Sequence, residues 1–348
     1  MKIFRRIQLK VVLSIVAGLA ALGVGAGVAL AGRNAASIGQ GIVVIETNLA
    51  YQDAAAAGTG IVLSSSGEVL TNNHVISGAT TVKVVIPSTG RSYTAHVVGY
   101  SRTADVALLQ LQNASNLKTL RTGDAAALTV GQAVRALGNA GGTGSLSSAS
   151  GTITGLSRSI TASDDQGNSE QLTGLIETNA GVVAGDSGGP LLDTTGRIVG
   201  MDVAASASGG FQMVETSDAY AIPIGKALTI AKQIESGQSS ATVHVGATAF
   251  FGVQVESAVS AGYPGDGYGS TTAGALLAGV IPGGPASSAG LVPGDVITAI
   301  NGRTISSPTV ISSIVLQLKP GAKVTITYSD QTGASNSVSV TLGSGPPQ

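Results

Sequence analysis

The sequence contains no cysteine and no tryptophan. The missing thiols exclude disulfide scaffolds, thiolate metal sites, iron–sulfur clusters and a cysteine nucleophile in one step. They leave the compartment open, because an exported chain can do without disulfides. Aromatic residues supply only 3% of the 348 positions. Charge is scarce as well: Asp, Glu, Lys and Arg make up 11%, less than half of the roughly 25% usual in soluble domains. So few charges exclude the highly charged kind of disorder. Eighteen basic and nineteen acidic residues give a net charge of −1, which argues against a broad basic face for nucleic acid. Histidine occurs only at positions 74, 96 and 244. With no clustered His/Asp pairs at ligand spacing, neither a metal site nor a cofactor is expected.

Glycine is abundant, at 50 residues, about twice average usage, yet it lacks the third-residue period of collagen. Apolar residues reach 43%, enough for a real core. Small residues, few charges and many glycines point to a β-rich, loop-rich enzyme or binding fold. At roughly 100–200 residues per domain, the length suggests two or three domains.

Lys2, Arg5, Arg6 and Lys10 precede an uncharged run from Val11 to Ala31. The run is long enough to cross a bilayer at about 20 residues per helix. It also ends in Ala29-Leu30-Ala31, the small-x-small form of a signal-peptidase site. Residues 1–31 are therefore read as a hydrophobic helix that is either a cleaved signal peptide or a retained single-pass membrane anchor, with 32–40 as a linker. Both readings place the remainder outside the cytoplasm, at the cell membrane or secreted.

From residue 41 the pattern changes to short alternating or β-branched runs separated by Ser, Gly and Thr turns, the spacing of an antiparallel barrel. One series occupies 41–111 and a second begins after Gly131. Ala227, Leu228, Ile230, Ala231 and Ile234 then recur at helical spacing and Gly237 stands at the stop. Two six-stranded antiparallel β-barrels with a closing helix are expected over 41–236, split near 128. Residues 237–247 are Ser/Gly/Thr-rich and read as a linker. Residues 248–345 form a small α+β domain with short strands and one helix near 308–318.

Three segments carry chemistry. His74 stands in Thr71-Asn-Asn-His-Val-Ile76, Asp105 in Ala104-Asp-Val-Ala-Leu-Leu109 and Ser187 in Gly185-Asp-Ser-Gly-Gly-Pro190. Each alone reads as ordinary structure: a structural histidine, a turn residue, a loop. Together their order along the chain is that of the chymotrypsin-type triad, unlike the subtilisin or α/β-hydrolase orders. His74 would take the hydroxyl proton of Ser187, a weak nucleophile until a base acts on it. Asp105 would hold the imidazole in the required tautomer. The N–H groups of Gly185 and Ser187 would form the oxyanion hole, with glycine at 185 permitting an unusual turn. His96 and His244 lie outside this constellation.

With these motifs, Gly58-Thr-Gly60, Gly138-Asn139 and Tyr220-Ala-Ile-Pro223, the sequence resembles the trypsin-fold serine proteases of the HtrA (high-temperature-requirement) type, over roughly 40–345. The resemblance implies that 179–184 and the strand 200–204 line the substrate pocket, with Gly181 at its base and Val203 on its wall. An apolar pocket suiting small side chains follows, with Asp202 as an unplaced charge. The C-terminal part resembles a PDZ domain in Phe250-Phe-Gly-Val253, Gly283-Gly-Pro-Ala286, 289–297 and Ile300-Asn-Gly302. Phe251, Gly252 and Val253 would then form the loop that holds a peptide carboxylate, the peptide adding as a strand. Residues 263–269 read as an insertion loop. The function implied is an exported endopeptidase for unfolded or misfolded chains, cleaving after small apolar residues, with polypeptides and peptide C-termini as partners. The membrane is a further partner if the first helix is retained. The alternative is a catalytically silent peptide-binding or chaperone module. A homo-oligomer is possible on either reading, although residues 32–57 hold only Tyr51 among aromatics.

One position departs from the family pattern. Asp186 stands where HtrA proteases carry Asn. A buried, unpaired carboxylate is costly, so the residue either pairs with Arg135 or faces water or backbone N–H groups.

Overall fold

In a computed structural model of the chain, residues 39–163, 169–203, 219–258 and 273–348 are described. The segment read as signal or anchor and the loop 263–269 lie outside them. Among the described residues no helix is long and apolar enough to cross a membrane.

The alternating runs of the first series form Ile42–Leu49 (β1), Ala54–Val62 (β2), Glu68–Thr71 (β3), Thr81–Ile86 (β4), Arg91–Ser101 (β5) and Val106–Leu111 (β6). All pairings are antiparallel in the order β5-β4-β1-β2-β3-β6, and β5 closes the ring by pairing with β6. A four-residue helix, Asn73–Ile76 (α1), follows β3. The second series forms Ala133–Gly138 (β7), Ser147–Ser163 (β8), Ser169–Thr178 (β9), Pro190–Asp193 (β10), Ile198–Val203 (β11) and Ala219–Pro223 (β12), a closed six-stranded barrel.

Barrel closure removes free sheet edges and buries two strand faces. Val43, Ile45, Val69, Val84 and Leu109 fill the first barrel, and Val134, Ala136, Ile153, Ile176 and Leu191 the second. A third cluster joins them: Ile42, Ile61, Leu70 and Leu108 meet Leu172, Leu175, Met201 and Ile222. The helix Ile224–Glu235 (α2) completes this junction with Ile224, Ala227, Ala231 and Ile234, all buried along one helical stripe. Each isoleucine so buried is worth about 1.5–3 kcal/mol.

Residues 237–247, read as a linker, carry a strand instead. His244–Val245 (β13) pairs with Gly99 and Tyr100 of β5. A side chain at Gly99 would meet Ile234, which is why helix and strand can close there. The C-terminal part holds Thr248–Phe250 (β14), Val253–Ser257 (β15), Ala275–Val280 (β16), Pro285–Ser288 (α3), Val296–Ile300 (β17), Arg303–Thr304 (β18), Pro308–Val315 (α4), Lys323–Ser329 (β19), Ser335–Thr341 (β20) and Gly343–Gly345 (β21). Its main sheet runs β15-β16-β17-β19-β20, so β15 lies at an edge, with α4 packed against it.

This part touches the first barrel at several places. The rings of Tyr51 and Phe250 stack at 5.3 Å, and Leu316 packs on the first barrel's core. The Pro347 carbonyl accepts the Gly78 N–H at 2.8 Å, and the Gln348 carbonyl accepts from Asn73 Nδ2 at 3.1 Å.

Candidate active site

Helix α1 leaves its first N–H groups without intrahelical partners, and its cap residue Asn72 makes no side-chain cap. Asp105 supplies the missing acceptor from a distant segment. Its Oδ1 accepts the His74 N–H at 3.0 Å and its Oδ2 lies 2.8 Å from His74 Nδ1. One carboxylate thus fixes both the backbone and the ring of the histidine. Asn72 Nδ2 in turn donates to the Asp105 carbonyl at 2.9 Å. Asp105 adopts a left-handed backbone (φ 53°), which Asp tolerates better than most residues, and its N–H donates to the Arg102 carbonyl. The carboxyl is buried at 2% exposure while the imidazole keeps 19%. With Nδ1–H held by the carboxylate, the neutral ring carries its lone pair on Nε2.

Ser187 sits in a turn built by the backbone around it. The Val183 N–H donates to Asp186 Oδ2, the Asp186 N–H to the Val183 carbonyl and the Gly189 N–H to the Asp186 carbonyl. Gly185 has φ +97°, and a side chain there would collide with the Asn139 carbonyl. Only glycine fits that position.

Thr59 of the first barrel grips this turn, and Thr71 holds Thr59. The Thr59 N–H donates to the Ser187 carbonyl at 2.8 Å, and its Oγ1 donates to the Gly185 carbonyl at 2.7 Å while accepting the Asn139 N–H. Thr71 Oγ1 donates to the Thr59 carbonyl at 2.7 Å. In the sequence the two stand inside the motifs Gly58-Thr-Gly60 and Thr71-Asn-Asn-His74, with nothing to mark the threonines themselves. Gly58 lies between Val75 of α1 and the Ser187 carbonyl, so a side chain there would press on both. The histidine helix and the serine turn therefore meet at this strand.

The other expected residues fall as follows. Gly181 is exposed with open space beside it. Val203 is fully buried in the core opposite Tyr220. Asp202 is also fully buried; it pairs opposite Ala221 in the second barrel, and the Asp186 charge acts on it. Burial raises the Asp186 carboxyl above its ordinary range, and it raises Asp202 much further, with the Asp186 charge adding to it. Arg135 does not pair with Asp186. It lies on the exposed face of β7, because strand alternation turns Val134 and Ala136 inward and Arg135 out. His96 is exposed on β5, and His244 leans on Tyr100 with ring centres 5.0 Å apart. In the C-terminal part Phe251 is buried, Gly252 has φ +80° and Val253 opens the edge strand β15. Among the described residues no three His, Asp or Glu side chains cluster as metal ligands.

Residues 58–201 match the trypsin-like peptidase domain and 277–328 the PDZ domain. The serine protease PepD of Mycobacterium tuberculosis is 32% identical over 326 residues, covering 89% of this chain and 65% of that protein. The periplasmic serine endoprotease DegP of Escherichia coli is 33% identical over 273 residues, covering 78% of this chain and 54% of DegP. A probable periplasmic serine protease do/HhoA-like protein of Haemophilus influenzae is 35% identical over 274 residues, with 78% and 55% covered. The chain carries a trypsin-like peptidase domain and a PDZ domain and is similar to the HtrA/DegP-type serine proteases. It spans 54% to 65% of the length of these three relatives. The protease match covers His74, Asp105 and Ser187, and the PDZ match begins on β16.

Proposed function

We propose that this HtrA-type chain is an extracytoplasmic serine endopeptidase that cleaves unfolded or misfolded polypeptides after small apolar residues. The observation that carries the reading is the double grip of Asp105 on His74, with the Ser187 turn held against the same strand. His74 Nε2 takes the Ser187 proton as Oγ attacks the scissile carbonyl. The developing oxyanion is received by the Gly185 and Ser187 N–H groups, one such donor being worth about 3–4 kcal/mol in the transition state. His74 then gives its proton to the leaving amine, and water, activated by the same base, hydrolyses the acyl-enzyme. Asp105 stabilises the imidazolium in both halves. The exposed Gly181 leaves room for a small side chain at the pocket base, and the inward-facing Asp202 offers no charge to it.

The PDZ domain binds peptide C-termini. Edge strand β15 offers unpaired backbone groups for strand addition, and the turn at Phe251, Gly252 and Val253 receives the carboxylate. Residues 1–31 deliver the chain across the membrane or anchor it there.

The test is labelling of the full chain by a fluorophosphonate probe, followed by casein digestion and mass spectrometry of the cleaved bonds. Labelling of Ser187, lost in Ser187→Ala, with cleavage after Val or Ala is expected. A folded protein that captures peptides but neither labels nor cleaves would make the chain a binding module instead.

A further inference from the structure

Among its described residues the second barrel carries two buried acids that the reaction above does not use. Asp186 and Asp202 are exposed by only 5% and 0%. Of their four carboxyl oxygens one has a partner, Asp186 Oδ2, which accepts the Val183 N–H at 3.0 Å. Asp186 Oδ1 and both Asp202 oxygens are buried with none. Asp202 belongs to the nucleophile turn's own support: its N–H donates to the Gly189 carbonyl and its carbonyl accepts the Gly188 N–H. Gly138 leaves room for this arrangement, since a side chain there would come within 2.5 Å of Asp186 Oδ1.

No described cation compensates the pair. On the elements packed around it, Arg135 of β7 points to solvent and Arg158 of β8 pairs with Glu177 of β9. Glu177 also accepts from Tyr220 of β12. Asp193 of β10 is engaged by Thr195 and the Arg197 N–H. Among the described residues only the Asp186 charge acts on Asp202. Two adjacent carboxylates cannot both ionise in a buried site, so one proton stays. A protonated carboxyl is a donor as well as an acceptor, and it is the donor this cluster otherwise lacks.

We propose that Asp186 and Asp202 form an acid pair sharing one proton, with Asp202 the protonated member donating to Asp186 Oδ1, and that this proton positions the oxyanion turn. Asp186 keeps the negative charge because Oδ2 has the Val183 N–H; Asp202 keeps the proton because no N–H or O–H reaches it. Through Val183 the pair sets the turn that carries Gly185. Asp202 is thus a positioning residue, acting on the oxyanion hole without touching substrate. When the proton is lost to solvent at high pH, two anions face each other beneath the turn. Asp186 is driven off, and Gly185 loses its orientation. The sequence showed an acid in place of Asn at 186, but a second acid beneath it was visible only in the register of β11.

The inference rests on Ser187 being the nucleophile, and the experiment separates the two. The full-length protein is examined by infrared difference spectroscopy at pH 8 without substrate. A protonated carboxylic acid band, shifted in deuterium oxide and lost in Asp202→Asn, is expected; its absence overturns the pair whatever the enzyme does. Next, kcat/KM on one peptide is followed from pH 6 to 10. The wild type should lose activity on the alkaline side, while Asp202→Asn, whose amide donates at every pH, should lack that limb and fall less than tenfold at pH 7, in kcat rather than KM. Superimposable pH profiles would overturn the positioning role. Should Asp202→Asn fail to fold, Asp186→Asn serves in its place. It removes the charge that the proton is shared with, and an unchanged alkaline limb in that variant counts equally against the proposal.

Discussion

Thr59 and Gly185 are joined by a 2.7 Å hydrogen bond across 126 residues of sequence, from the first barrel to the turn that bears the nucleophile. The same hydroxyl accepts the Asn139 N–H. Thr59→Val keeps the shape and removes both bonds, leaving a half-buried carbonyl and a buried N–H unsatisfied. Each such loss costs about 1–3 kcal/mol. The expected result is a fall in kcat of about ten- to a hundredfold, at 1.4 kcal/mol per factor of ten. Fluorophosphonate labelling should slow in proportion. An unchanged labelling rate would show that the turn holds its form without the threonine.

Asp105→Asn should separate geometry from chemistry. The amide oxygen can still accept the His74 N–H, so α1 stays capped, but the Nδ2 donor forces the ring into the wrong tautomer. Loss of kcat on the order of 10⁴-fold is expected with little change in melting temperature. A large drop in melting temperature would instead mean that the carboxylate mainly holds the helix.

Stability should depend on pH through the second barrel. The folded pKa of Asp202 is raised well above the ordinary value, first by burial and then by Asp186. A group of this kind contributes stability below its unfolded pKa, near 4, and loses that contribution as pH rises toward the folded pKa. While the folded chain keeps the proton and the unfolded chain releases it, the loss is about 1.4 kcal/mol per pH unit. Asp186, also raised, adds in the same direction. Asp202→Asn should therefore gain denaturant resistance relative to wild type between pH 4 and pH 8. Parallel midpoints at the two pH values would contradict it.

The attachment of the C-terminal part to the histidine helix is also open to measurement. Removing residues 346–348 deletes the acceptors of the Gly78 N–H and Asn73 Nδ2. Faster hydrogen exchange at Gly78 is expected, with exchange in β7 to β12 unchanged. Equal protection of Gly78 in both proteins would show that another group takes over.

The triad candidates were legible because each lies in a short motif whose neighbours have their own reasons to be there. Gly185 must turn with positive φ, and Asp105 opens an apolar strand. The contact of Asp105 with His74 was legible only as chain order. Thr59 and Thr71 were not, because a threonine in a strand ordinarily signals nothing beyond β propensity. Of the two partners open to Asp186, the backbone N–H of Val183 holds and Arg135 does not, as the in–out–in alternation of Val134-Arg135-Ala136 already implies. The pleat, not opposite charge, sets where Arg135 points. The strand β13 escaped because two residues in Ser/Gly/Thr-rich surroundings carry no periodicity, and it forms only where Gly99 lets it approach.

The hydrogen bonds of Thr59 to Ser187 and Gly185 have a consequence for the order of events during synthesis. Such long-range contacts close late, since loop-closure entropy must be overcome before they form. A nascent chain that has completed only the first barrel already owns His74 and Asp105 but has nothing for them to act with. One that has made the serine turn lacks its support until Thr59 docks. Under the proposed function, cleaving power arrives only with the union of the two barrels, and a half-made copy has none.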